Sequence, residues 1–594
     1  MIRKPLRPLA LVLEARAAGK NPQDIERENI RARHEQARDA SRMRAESRLL
    51  VLILAFISLF ALVAVRMGAL AISEPMEPQT AYSGPSIVAQ RGNIVDRRGR
   101  ILATNLDTHS LYATPQDMVE PELAAQGLAQ IFPELDEQDL QRWFTGTRKF
   151  LWVKKKLSPE QKQAVHDLGE PGLKFGPREV RLYPNGTLAS HVLGGASFGR
   201  EDVAAAEVVG VAGVEKTFDA FLRDPAHAGE ELELTIDLSI QSAIEEVIRG
   251  GMTLMNAKGA AGILMDANTG EIVSLVSLPD FDPNDRPAPP TEGNPADSPL
   301  FNRAIQGVYE LGSTFKVFAA AQALEMGLVT PDTMIDIRGP LKWGKFRITD
   351  FHNYGNELSV HDIIKKSSNI GSARLALMIG ADKQQEFLKS LGFFETTPVE
   401  MVEASGGQPK FPKDWKDIST ITISYGHGLS ATPMHLAAAY ATLVNGGYKV
   451  SPTLMKQNFY ERGPRIISPE TSRHTREMLR SVVKEGTATF GDVPGYAVAG
   501  KTGTADKPIP TGGGYYEDRV ISTFASAFPA HDPNYVLVVT MDEPELSTGI
   551  EPKRTAGWTA VPVAAEIITR VAPLLGLRPE IEPDTLAGVT SSSN

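Results

Sequence analysis

Residues 231–576 predict an α/β or α+β layer protein: a sheet covered on its faces by helices, with a helical subdomain inserted. Three observations carry this. Strand-like runs stand near the front of the region, at 232–237, 262–266 and 272–276, and again near its end, at 497–504, 522–528 and 535–541. The stretch between them is helical in pattern. A closing helix over 561–575 has Pro562 in its first turn, where a missing N–H costs nothing. In front of this region the sequence predicts a tail (1–48), a membrane span (49–72) and an elongated, mainly β domain (73–230). A flexible tail (577–594) is expected after it.

A length of 594 residues suggests two to four domains, and the apolar content is ample for real cores. There are no cysteines, which excludes disulfides and thiol chemistry. The 11 histidines show no ligand spacing of the H-E-x-x-H kind, so no catalytic metal and no cofactor are expected. The net charge is −10, yet residues 1–48 hold 12 Lys/Arg against 7 Asp/Glu, a net of +5, so the remainder carries −15. That acidic bulk argues against nucleic acid as a partner.

Residues 49–65 run without a charge, and the apolar stretch resumes after Arg66 to Ile72. As a helix the 24 residues would reach roughly 36 Å, enough to cross a bilayer with Arg66 snorkelling. Arg42, Arg44 and Arg48 precede it and place the N-terminus in the cytoplasm. A cleaved signal peptide is the rival reading, because Ala69-Leu70-Ala71 resembles a cleavage site. The length of the apolar run and of the tail before it favours an uncleaved single-span anchor.

Within 73–230, residues 91–99 read as a strand and tight turn, 181–186 as a strand ending in a Pro-Asn-Gly turn, and 210–222 as a short helix with its lead-in. Arg91, Asp96, Arg181 and Glu215 are candidates to pair and clamp a junction.

The later region opens with a strand at 232–237 and a helix over 238–248, with Ile240, Ala243, Ile244 and Val247 on one face. A hairpin follows across Asn268-Thr269-Gly270. The chemistry-bearing residues come next, in three groups. Ser313 and Lys316 stand three apart at the start of a helix expected over 314–326 and closed by Gly327, so their side chains share a face. Ser367 and Asn369 flank Ser368 between helices at 361–366 and 370–379. In an extended turn, i and i+2 point the same way, so Ser367 can relay a proton while Asn369 orients Lys316 or a substrate amide. Lys501, Thr502, Gly503 and Thr504 end a small-residue strand, where Gly500 and Gly503 leave room for a ligand and the lysine and hydroxyls suit a carboxylate. Taken singly, each group also reads as a cap, a turn or a bulge. Their order and context suggest one acyl-transfer site, with a neutral Lys316 as base for Ser313. A value near 7 for that lysine needs about 4 kcal/mol of environmental bias, from burial and from a second cation such as Lys501.

These groups resemble the S-x-x-K, S-x-N and K-T-G motifs of the penicillin-binding serine acyl-transferases. The resemblance implies the penicillin-binding transpeptidase fold, Ser313 as nucleophile, Lys316 as its base, Ser367 as proton shuttle, Asn369 as its positioning partner and Lys501 as an electrostatic lysine. It also implies an oxyanion hole from the N–H groups of Ser313 and Thr504. The hydroxyls of Thr502 and Thr504, beside Gly503, would bind the carboxylate of a substrate peptide or a β-lactam. Residues 309–316, 424–429, 432–437 and 524–529 extend the likeness, with Leu311 where proline is usual, Met434-His435 for a common Leu-Gln and Ser526 for a usual glycine. Residues 91–99, 181–194 and 210–215 are similar to the class B non-catalytic pedestal. The likeness covers roughly residues 85–570.

Within class B, the stretches at 348–352 and 367–371 look like the division-specific FtsI type rather than the elongation type, which remains the alternative. The implied activity is a D,D-transpeptidase that cross-links peptidoglycan stem peptides at the septum. The implied partners are those peptides, β-lactams, the membrane, a SEDS-family glycosyltransferase and other division proteins. The implied location is the bacterial inner membrane with the catalytic domain outside. A serine β-lactamase would need a water-activating carboxylate that is not evident. A β-lactam sensor would need a larger signalling domain, and a non-catalytic scaffold gives no reason for so complete a set of polar groups.

Overall fold

The computed structural model describes residues 9–21, 52–67 and 91–580, apart from 202–205, 458–459, 510–512 and 548–550, together with isolated positions from 24 to 43. The chain divides into two units, 1–84 and 85–594. In the first, residues 52–67 are helical with exposed side chains. No helix among the described residues is long and apolar enough to cross a membrane. The ends of the span expected at 49–72, most of the basic tail, and residues 581–594 lie outside the described residues.

The second unit begins with a sheet whose centre is β1 (Ile101–Ala113), flanked antiparallel by β2 (Leu151–Leu157) and β3 (Leu173–Leu182). Three helices accompany it: α1 (Pro121–Ile131), α2 (Glu137–Phe144) and α3 (Pro159–His166). They bury Leu111, Leu128, Phe132, Leu140 and Phe144 in a separate small core. The expected mainly β domain is thus a mixed one. A single layer exposing one apolar face needs cover, and these helices supply it.

The expected clamp forms in two parts rather than one. Glu215 is fully buried and receives Arg91 Nε at 2.7 Å, Arg181 Nε at 2.6 Å and the Tyr183 hydroxyl at 3.2 Å. Burial and the Glu215 charge push the Tyr183 phenol up. Asp96 joins none of these. Its carboxylate accepts from the Arg98 and Arg100 N–H groups at 2.9 Å, from Arg100 Nε at 2.7 Å and from Leu238 N at 3.0 Å. Asp96 therefore fastens its own turn to the start of the helix that begins at Leu238, and those donors hold its carboxyl below the usual range against the cost of burial.

The larger region that follows opens with α4 (Leu238–Leu254), capped by Asp237, whose carboxylate accepts from Ser239 N at 2.9 Å. Next come β4 (Gly259–Asp266), β5 (Ile272–Leu278), α5 (Lys316–Glu325), β6 (Leu341–Trp343), β7 (Phe346–Ile348), α6 (Val360–Lys366), α7 (Asn369–Ile379), α8 (Ala381–Ser390), α9 (Asp417–Ser424), α10 (Pro433–Val444), α11 (Pro469–Glu485), β8 (Ala499–Pro508), β9 (Tyr515–Phe528), β10 (Tyr535–Asp542) and α12 (Ala560–Leu574). The main sheet has the order β8-β9-β10-β4-β5, antiparallel throughout. Its inner strands are buried on both faces. Ile263 and Met265 of β4 face one core with Met434 and Tyr440 of α10, while Leu264 faces the other with Ile244 of α4 and Ile567 of α12. The sheet flanked by helices is as expected, and α5 to α9 form the inserted helical part.

Candidate active site

The helix expected over 314–326 starts two residues later than the sequence predicts. Ser313 sits in a 3₁₀ turn, Gly312–Phe315, and the α-helix starts only at Lys316. The turn keeps the pair together, because side chains at i and i+3 of a 3₁₀ turn eclipse each other. Thr314 is fixed below it: its hydroxyl donates to Leu311 O at 2.8 Å, and the buried Tyr440 hydroxyl donates to Thr314 O at 2.8 Å. Phe315 and Phe318 pack on Phe393, with ring centroids 5.0 and 5.3 Å away. Ser313 itself is half-buried.

The turn is squeezed between two backbones. A Cβ on Gly503 would lie 2.2 Å from Leu311 O and 2.8 Å from Thr314 Cγ2, and one on Gly312 would lie 2.6 Å from Thr504 O. On the other side, a Cβ on Gly426 would lie 1.8 Å from Gly312 O. Gly312 and Gly426 also have φ of +56° and +90°. The expectation that Gly500 and Gly503 leave room for a ligand is corrected here. The space beside Gly503 holds the serine's own turn. The space beside Gly500 holds the Phe524 ring, which a Cβ there would meet at 2.6 Å. Glu310 adds a polar tie, accepting from Gly428 N at 2.8 Å and the Tyr515 hydroxyl at 3.1 Å and lying 2.9 Å from His427 Nδ1.

Lys316 is 1% exposed and Lys501 fully buried. Lys316 Nζ donates to Ser367 O at 2.5 Å and to Ser367 Oγ at 3.0 Å. Lys501 Nζ donates to the same Ser367 Oγ at 3.0 Å and to Thr502 O at 3.1 Å. Burial pushes the Lys316 amine well down, the nearby Lys501 adds to this, and Asp350 opposes it. Burial pushes Lys501 down to about 7. A hydroxyl oxygen has two lone pairs and one proton. With both lone pairs of Ser367 Oγ facing lysines, its own O–H is left available to donate.

Ser367 holds this position in left-handed geometry, φ +61° and ψ +47°, as the C-cap of α6. The expected extended turn is therefore absent. One helix ends at Ser367 and the next is capped at once by Ser368, whose Oγ accepts from Gly371 N at 2.9 Å and donates to Asp350 Oδ2 at 2.7 Å. Asp350 Oδ1 accepts from Asn369 N at 2.5 Å and Ile370 N at 3.0 Å, so it caps α7 from outside. Asn369 makes no hydrogen bond to Lys316. Its Nδ2 donates to Thr349 O at 2.9 Å, because the left-handed residue turns position 369 away from position 367.

β8 is the edge strand of the sheet and carries the third group. Thr502 Oγ1 lies 2.7 Å from Thr487 Oγ1, and Thr504 Oγ1 accepts from Ala556 N at 3.0 Å, which leaves the Thr504 proton free to donate. The structure thus gathers Ser313, Lys316, Ser367, Lys501, Thr502 and Thr504 into one cleft, with Asn369 beside it. Two supports escape sequence reasoning. Thr487 carries no local signal, and Asp350 acts on a helix start 19 residues away that only a capping search would link to it. The arrangement can form a neutral amine next to a serine, relay a proton through a second serine and hold an anion at a strand edge.

Two family models match the chain: the penicillin binding protein transpeptidase domain over residues 260–569 and the penicillin-binding protein dimerisation domain over 86–230. The chain is 32% identical over 565 residues to a probable peptidoglycan D,D-transpeptidase FtsI of Caulobacter vibrioides, covering 93% of each. It is 27% identical to peptidoglycan D,D-transpeptidase FtsI of Escherichia coli, covering 84% of this chain and 85% of that one. Among solved structures it resembles penicillin binding protein 3 from Mycobacterium tuberculosis complexed with aztreonam, at a TM-score of 0.62 and 25% identity, over 83% of this chain and 98% of that one.

Proposed function

The chain belongs to the penicillin-binding protein transpeptidases of the FtsI type, and on that footing we propose that Ser313 is the residue acylated in its reaction. It is a peptidoglycan D,D-transpeptidase and a target of β-lactams. The observation that carries the residue assignment is the pair of buried lysines that share Ser367 Oγ, one of them three residues after Ser313.

Neutral Lys316 takes the proton from Ser313 Oγ, and the oxygen attacks the carbonyl carbon of the penultimate D-alanine. Negative charge then develops on the carbonyl oxygen. The N–H groups of Ser313 and Thr504, on backbones in contact at Gly312, are the donors assigned to it, and the start of α5 adds its dipole. The C–N bond breaks, and the departing D-alanine amine takes the Ser367 hydroxyl proton, which Lys316 restores across 3.0 Å. An acceptor amine then attacks the acyl-enzyme and the protons return by the same route. The hydroxyls of Thr502 and Thr504 hold the terminal carboxylate, and Lys501 supplies positive potential. Asn369 takes the role of positioning the substrate amide rather than Lys316.

The apolar pattern at 49–72 and its basic flank support a single-span inner-membrane protein with its catalytic domain outside, acting at the septum with a SEDS-family glycosyltransferase and other division proteins. A pulse of labelled penicillin followed by a chase tests the enzymatic reading. Label held for many minutes fits a transpeptidase, and rapid release of hydrolysed drug fits a β-lactamase instead.

A further inference from the structure

An open groove of about 520 Å³ lies beside the site, between the β6–β7 hairpin and the starts of α8 and α9. Trp343 and Phe346 line it from the hairpin, and Trp415 and Lys416 from the opposite wall. Trp415 is braced: its indole N–H donates to Gln384 Oε1 at 3.1 Å and its ring stacks on Phe394. Phe346 is 47% exposed, with Lys345 Nζ over its ring. Segments 341–348 and 410–418 hold six Lys/Arg against two Asp, in a chain whose net charge is −10. Aromatic faces with a polar rim suit sugar rings, whose C–H faces are apolar and whose edges carry hydroxyls, and the lysine ammonium groups can donate to those oxygens.

Both walls lead into the active site. Past β7, Thr349 O receives the Asn369 amide. At the end of α9, Gly426 lies against Gly312. The eight residues of α9 set the groove roughly 12 Å from that contact. A stem peptide of about four residues, fully extended from the acylated carbonyl, spans at most ~14 Å. The sugar that bears the peptide would therefore reach the groove.

We propose that this groove holds the glycan strand carrying the donor stem peptide, with sugar faces on Trp343 and Trp415 and the ammonium groups of Lys345 and Lys416 donating to its hydroxyl and acetamido oxygens. The assignment rests on the transpeptidase reading above. It predicts that substrate affinity depends on the saccharide. The test uses the full chain and two substrates with the same pentapeptide, one free and one joined to an N-acetylmuramyl disaccharide. Trp343→Ala and the double variant Lys345→Glu/Lys416→Glu should raise KM roughly three- to tenfold for the saccharide-linked substrate and leave the free pentapeptide unchanged. The lysine variant alters exposed side chains only, so it keeps the test independent of folding. Equal effects on both substrates, or none on either, overturn the groove assignment. Fluorescent penicillin is added to the same samples. A wild type without label at Ser313 overturns the transpeptidase reading and the groove with it, whereas labelled variants blind to the saccharide overturn the groove alone.

Discussion

Lys501 Nζ and Ser367 Oγ lie 3.0 Å apart although 134 residues separate them in the chain. Lys316 Nζ approaches the same oxygen at 3.0 Å. The hydroxyl that joins the two amines is held by a residue in left-handed backbone, a conformation that costs a non-glycine residue about 1 kcal/mol and is seen where the surroundings enforce it. Ser367→Ala and Ser367→Gly therefore make an informative pair. Both lose the proton relay, and turnover should fall roughly 10²- to 10⁴-fold in each. Glycine relieves the backbone and should be the more stable of the two by about 1 kcal/mol in denaturant unfolding. A glycine variant no more stable than the alanine one would show that the left-handed geometry is not under strain.

Both buried lysines bear on pH. In the unfolded chain each amine keeps its proton up to about 10.4. In the folded protein Lys501 gives it up near 7, and Lys316 well below its usual range. Between about pH 7 and 10.4 the unfolded state binds more protons, so these groups make stability rise with pH across that window. Each imposes a constant cost only below its own folded value. Lys501→Met removes one contributor, and its denaturation midpoint should gain less than wild type between about pH 7 and 9.5. A wild type that gains no more than the variant contradicts the assignment. Acylation by penicillin should rise with pH on a limb well below the ordinary lysine range and should collapse in Lys316→Met.

The squeezed turn makes a prediction about glycine. Gly426→Ala places a methyl 1.8 Å from Gly312 O at a φ of +90°. It should cost about 2 kcal/mol or more and slow acylation by displacing Ser313. Thermal unfolding and penicillin labelling rates measured on the same sample check both. A stable variant with normal labelling would mean that the backbone contact does not set the serine.

The dimerisation-type domain is held by a different device. Glu215→Gln leaves Arg91 and Arg181 short of a buried counter-charge and should cost roughly 3–5 kcal/mol. The penicillin-labelling rate per folded molecule should not change. A matched loss of labelling in protein that remains folded would tie this clamp to catalysis rather than to stability.

The same residues show what the sequence can convey. The three groups are legible through a composition that chemistry explains; two stand at helix ends, whereas Lys501–Thr504, expected to end a strand, lie inside β8, which pairs with β9 on to Pro508. Also legible are the β4–β5 hairpin, through Asn268-Thr269-Gly270, and α12, through Pro562. Helix α10 is not, because every one of its residues is buried and it has no polar face to give it a period. The partner of Asn369, the cap supplied by Asp350 and the reason for Gly503 all depend on backbone brought close by distant segments. Spacing along the chain shows which residues can meet, and it is silent on which way a left-handed residue turns the next two.

The most direct test is to trap the acyl-enzyme. The full chain is mixed with a stem pentapeptide without acceptor amine, quenched in acid and digested. The expected result is one modified peptide, containing residues 313–316, with the mass of the acyl group on Ser313 and its absence in Ser313→Ala. An adduct on another residue, or one that survives Ser313→Ala, would contradict the account.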